Sequence, residues 1–137
     1  MLIDTTYLDK INPNSPLDLA EGIARLLDDR KGIDVTVIDL MGKTIVADYF
    51  VIASATSTTG VKALSDHVMD ELEKRGIPCL HKDVDSKWVA LGFAGVVVHV
   101  FYDEMREFYS IERLWAEGGN VKRFIGRSSP LISPDRF

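Results

Sequence analysis

Cysteine is nearly absent: Cys79 is the only one, and a single thiol cannot close an internal disulfide. A disulfide-stapled fold is excluded, and a reducing, cytoplasmic setting is the expectation. Long apolar runs are lacking too. The longest, at residues 49–53 and 93–98, fall far short of the roughly 18 residues that a membrane span needs. The first residues (MLIDTTYLDK) carry no basic segment ahead of an apolar stretch, so they do not read as a secretory signal. Histidine is scarce, and His67, His81 and His99 stand at no metal-pair spacing, which argues against a zinc centre. Glycine-rich phosphate loops and the G-x-S-x-G nucleophile elbow are missing. No cofactor is expected.

What is present suits one ordinary domain. The chain has 137 residues, 46% apolar and 27% charged, which is too apolar for a disordered chain. The net charge of −5 is unevenly spread. Residues 1–117 carry 12 basic and 20 acidic side chains, whereas 118–137 carry Lys122, Arg123, Arg127 and Arg136 against Asp135. An acidic body is a poor partner for nucleic-acid phosphates and a fair one for a basic protein. DNA and membranes are therefore not expected as partners. The plain alternative is that the charge serves solubility alone.

The pattern of residues predicts an α/β domain with a single mixed sheet of about five strands and helices packed on it. Residues 1–14 show no sustained period and read as an extension. Ser15-Pro16 starts a helix, with serine as N-cap and proline in the first turn. Leu19, Ile23, Leu26 and Leu27 form its apolar stripe, and Gly32 is its expected stop. Residues 33–40 and 48–55 read as strands, the second apolar enough to be covered on both faces. A hairpin extension is expected at 44–47. One of the polar residues at 56–59 should cap a second helix, which carries Val61, Leu64, Val68 and Leu72 and closes at Lys74, Arg75 and Gly76. Residues 77–80 are expected as a strand running parallel to 48–55, and 81–87 as a solvated loop. Around Ala94-Gly95 a tight hairpin pairs Phe93 with Val96 and Trp88 with Phe101. Its greasier face carries Val89, Leu91, Phe93, Val96, Val98 and Val100. A third helix is expected from Asp103 to the pair at Gly118-Gly119. The domain is set at 15–118, and 119–137 as a basic, flexible tail.

Few constellations point to chemistry. Asp83-Val84-Asp85 has the D-x-D spacing of a metal-dependent nucleotidyltransferase, but no phosphate loop accompanies it. Residues 56–60 could offer backbone N–H groups to a phosphate, although ordinary capping explains them. Cys79 reads as a small buried hydrophobe. The aromatic residues stand out. Trp88 lies on the less greasy face with His99 and Phe101, while Tyr109, Glu112 and Trp115 share a helical face. Tryptophan and tyrosine anchor interfaces, so a binding module is favoured over an enzyme.

Three motifs carry a resemblance over residues 17–115: DYFVIASATS at 48–57, Trp88 with VVVHVF at 96–101, and FYSIERLW at 108–115. Together they resemble the Iojap family, the bacterial ribosomal silencing factors. The resemblance implies a nucleotidyltransferase-like fold without the transferase chemistry. It implies a non-enzymatic antiassociation factor that binds protein fourteen of the large ribosomal subunit. That factor blocks joining of the small subunit and lowers translation when nutrients are short. A homodimer is a frequent state of the family, and the basic tail is a further candidate for contact with ribosomal RNA. The implied contact residues are Trp88, Leu91, Phe93, Tyr109, Glu112 and Trp115. The family pattern W-x-x-x-D-x-G-D is changed here: glycine stands at 92 and 95 in place of aspartate, and Ala94 in place of glycine. Asp83 and Asp85 are the acidic residues expected to take over.

Overall fold

The computed structural model describes residues 5–104, 106, 121–124 and 131–132. Ser15 caps the first helix, α1 (Pro16–Asp29), by accepting the Asp18 N–H, and proline opens the first turn as expected. Leu19, Ile23, Leu26 and Leu27 are buried along one stripe. The helix ends differently from the sequence reading. Lys31, not Gly32, adopts the left-handed conformation, with φ of 66°. Gly32 is needed for closeness instead. Its N–H reaches the Leu27 carbonyl at 2.7 Å, and a Cβ there would sit 2.9 Å from that oxygen.

Strands β1 (Ile33–Asp39) and β2 (Tyr49–Ala55) pair antiparallel. All seven residues of β2 are buried, as its continuous apolar run requires. The link between them is a turn, not the expected hairpin extension. Ser57 caps α2 (Thr58–Glu73) through the Gly60 N–H, and Gly76 closes its end with φ of 75°. Residues 77–80 do not form a strand. Ile77 and Cys79 lean on the core, and Pro78 has no N–H to give a ladder. The strand is β3 (His81–Val84), four exposed residues on the sheet edge. An edge strand needs only backbone partners, so its polar side chains gave no signal.

β4 (Trp88–Phe93) and β5 (Val96–Tyr102) make the expected hairpin in the expected register, Phe93 with Val96 and Trp88 with Phe101. β5 then runs parallel beside β2, from Tyr49–Val96 to Ala55–Tyr102. The parallel partner of β2 is thus β5 and not residues 77–80. The sheet order is β3-β4-β5-β2-β1-β6-β7. β6 (Val121–Phe124) and β7 (Leu131–Ile132) fall within the segment read as a tail, with β6 antiparallel to β1. Strands of four and two residues are too short to display an alternation.

α1 and α2 pack on one face of the sheet, over Val35, Val51, Ala53, Val89, Leu91, Phe93, Val98 and Val100. The other face buries Ile38, Leu40, Phe50, Ile52 and Phe101, with Trp88 and Val97 against them. The N-terminal extension is bound to the helix side. Its short 3-10 helix (Thr6–Lys10) buries Leu8, and Arg75 holds it by bonds to Asp9 and to the Thr5 carbonyl, at 2.8 and 3.1 Å.

Candidate functional site

The β3–β4 corner brings together three of the residues singled out in the sequence. Directly opposed residues share a sheet face, so Asp83, opposite Ala90, lies on the same face as Trp88. Asp85 sits in the turn, where its N–H donates to the Trp88 carbonyl at 2.9 Å and its carboxylate accepts the Lys87 N–H at 3.1 Å. Both carboxylates are exposed, and Asp83 lies 3.3 Å from the His81 ring.

Trp88 is half-buried, with its ring held flat. It stacks on His99 and on Phe101 at centroid distances of 5.9 Å for each, with interplanar angles of 14° and 8°. Phe50 meets the same imidazole edge-on at 4.8 Å. The indole N–H donates to His99 Nδ1 at 3.2 Å. Burial pushes the His99 pKa down to about 4, so the ring is neutral near pH 7 and Nδ1 is free to accept. Its other nitrogen, Nε2, is buried without a hydrogen-bond partner. The result is an aromatic plate with the Asp83 carboxylate on its face of the sheet; Asp85, in the turn, lines a cavity with Lys62, Asp66 and Met69 on the helix side instead. Such a plate can hold an apolar or cationic side chain.

Leu91 and Phe93 are not at this surface. Both alternate to the opposite face and pack in the helix-side core, Leu91 with no exposed area at all. A docking protein meets the surface, so these two support the hairpin from beneath. Tyr109, Glu112 and Trp115 lie outside the described residues. The sequence reading put His99 on the Trp88 face but missed its hydrogen bond. The signal was there, because His99 falls diagonally across the register from Trp88.

Asp83 and Asp85 do not build a metal centre. β3 ends at Val84, so the two are not successive residues of one strand face. Among the described residues, no group of three or more His, Cys, Asp or Glu side chains could hold a metal ion. His67, isolated in sequence, accepts from Arg30 Nε at 2.9 Å across the helix pair. Burial and that cation hold its pKa below the ordinary value. No described helix is long and apolar enough to cross a membrane.

Comparison with known proteins gives the chain its relatives. The family described as "Ribosomal silencing factor during starvation" matches residues 13–133. The ribosomal silencing factor of Bacillus subtilis is 32% identical over 109 residues, 78% of this chain and 90% of that one. The "Mitochondrial assembly of ribosomal large subunit protein 1" of Mus musculus is 31% identical over 113 residues, 78% of this chain and 48% of that one. A crystal structure of a Chromobacterium violaceum protein superposes with a TM-score of 0.70 at 26% identity, covering 85% of this chain and 98% of that one. The bacterial relatives are named ribosomal silencing factors, a regulatory, non-enzymatic family.

Proposed function

This chain belongs to the family of ribosomal silencing factors, and from that premise we propose that it is a non-enzymatic antiassociation factor. It docks on protein fourteen of the large ribosomal subunit and occupies the space that the small subunit needs. Translation is thereby lowered when nutrients are scarce. The factor works in the cytoplasm, without a cofactor.

The observation that carries this reading is the β3–β4 corner. A tryptophan packed against two parallel rings, with an exposed carboxylate at 83 on its face and another at 85 in the turn at the sheet edge, offers an anchor and two acceptors for a basic protein. The acidic body points to the same class of partner. Trp88, Asp83 and Asp85 are the proposed contacts. Tyr109, Glu112 and Trp115 join them on the resemblance alone. The mechanism needs only an interface of ordinary size, on the order of 1,600 Å² in total. A homodimer is part of the proposal, as is contact of the basic tail with ribosomal RNA.

Co-sedimentation with purified large subunits tests the reading, followed by addition of small subunits. The wild-type chain is expected to sediment with the large subunit and to reduce joining. Asp83→Lys combined with Asp85→Lys should weaken co-sedimentation at least about tenfold, since each reverses a charge against a basic surface. Unimpaired joining in the presence of saturating protein would refute the proposal.

A further inference from the structure

Six large apolar side chains are exposed among the described residues, and four of them gather at one end of the molecule: Leu17, Met41, Ile45 and Val46. Ile45 is fully exposed and its neighbour Val46 is 67% exposed. This end is opposite the Trp88 corner. β4 runs away from Trp88 for six residues, a length of roughly 20 Å, before turning at Ala94-Gly95. That turn meets the link between β1 and β2, where the Asp48 N–H donates to the Gly95 carbonyl at 2.8 Å. Pro16 touches the same turn, which places Leu17 and the start of α1 at this end.

Single exposed apolar residues are ordinary, but a cluster on a structured loop is not. Three bonds fix the loop. The Met41 N–H donates to Asp39 Oδ1 at 2.9 Å, the Lys43 N–H to the Leu40 carbonyl at 2.9 Å, and the Val46 N–H to Thr44 Oγ1 at 3.1 Å. The Tyr49 hydroxyl adds a contact to the Met41 sulfur at 3.6 Å. None of these bonds uses the side chains of Ile45 or Val46. The fold shapes the loop and leaves its apolar tip in water, so little further ordering is needed for a partner to cover it.

The surroundings are acidic. Asp39, Asp48 and Glu21 act together on Tyr49, and Asp18 is on the first turn of α1; among the described residues the nearby cations by position are Lys43 on the loop and Lys122, which β6 brings beside Val37. Tyr49 registers the field of the carboxylates: burial raises its pKa, and the charges of Asp39, Asp48 and Glu21 raise it further. Phosphate-bearing partners, whether RNA or an anionic bilayer, are repelled by such a rim. A second copy would bring the same negative rim against its own.

We propose that the 41–48 loop, with Leu17, is a second docking surface, whose occupant is a basic polypeptide segment that inserts apolar side chains between its cationic ones. Ile45 and Val46 are covered on binding, while lysine or arginine side chains of the partner meet the surrounding carboxylates. With Trp88 at the other end, the molecule then has two separate faces for protein partners.

The test uses the full chain and two synthetic octapeptides, one of alternating lysine and leucine and one of lysine alone. Backbone amide shifts are followed during titration. The alternating peptide is expected to perturb residues 41–49, and Ile45→Ser with Val46→Ser should weaken it about tenfold. Both side chains are exposed, so the fold survives this double substitution. Equal binding of the two peptides, or perturbation confined to other residues, overturns the proposal. It is also overturned if the double variant dissolves a wild-type dimer or abolishes binding to anionic vesicles, because either result names a different occupant.

Discussion

Trp88 keeps its place on the sheet through a neutral histidine, which ties the candidate site to pH. The folded His99 has a pKa of about 4, against 6.5 for an ordinary histidine. The unfolded chain therefore takes up a proton at a higher pH than the folded one. Stability is full above pH 6.5 and declines as the pH falls toward 4. Between pH 7 and pH 5 the decline from this residue comes to about 2 kcal/mol. Urea midpoints at the two pH values should show that loss in the wild-type protein and lack most of it in His99→Phe. At the same scale, Leu91 and Asp83 separate core from surface. Leu91→Ala should cost about 2–5 kcal/mol in the same urea assay, because it leaves a cavity under the hairpin. Asp83→Lys should change stability by less than about 0.5 kcal/mol, because the carboxylate is exposed. Alternation along β4 made this division readable in the sequence. The stacking of Trp88 on His99 and Phe101 was not readable, because it depends on ring orientations that only packing sets.

Among the elements, the hairpin turn and the N-terminal segment make the sharpest predictions. Gly95 has φ of 79°, and a Cβ there would lie 3.0 Å from both Asp48 Oδ2 and Pro16. Gly95→Ala meets a strained, left-handed backbone and two close neighbours, so a loss of more than about 1 kcal/mol is expected in thermal melts. The extension read from the sequence as unpatterned is fastened at several points. Tyr7 donates to Asp29 and lies under the Arg25 guanidinium at 4.0 Å, while Leu8 is buried. Glu71 is part of the same fastening. Burial alone would raise its carboxyl, but hydrogen bonds from Lys74, Arg75 and Thr5 outweigh it and hold the pKa at about 2. Leu8→Ala should therefore destabilise the protein by about 2–5 kcal/mol, measured by denaturant unfolding. A loose extension would give no change. The segment was illegible because its 3-10 helix is five residues long, too short for a repeating stripe.

For the whole molecule, the two ends of the sheet carry different surfaces. One presents the Trp88 plate, and the other the exposed loop at 41–48. Under the proposed mechanism, in which the protein occupies the small subunit's place, the effect depends on where it is held, so variants at the two ends should act differently on subunit joining. Charge reversal at Asp83 and Asp85 should restore joining of the subunits. Ile45→Ser with Val46→Ser should leave the proposed large-subunit contact through Trp88 intact. Light scattering of mixed subunits reads both.

The sequence by itself determined the elements whose period spans several turns or residues. The stripe of α1, the buried run of β2 and the alternation of the β4–β5 hairpin all follow from local spacing. The motifs DYFVIASATS, Trp88 with VVVHVF, and FYSIERLW also carried the family. Tertiary structure alone decided the rest. It set the parallel partner of β2, because pairing joins residues far apart in the chain and leaves no local mark. It also placed the edge strand at His81–Val84 and added β6 and β7, whose ladders depend on backbone groups that every residue has. The uneven charge was visible from the start, whereas its meeting with exposed Ile45 and Val46 at one end is a product of the fold.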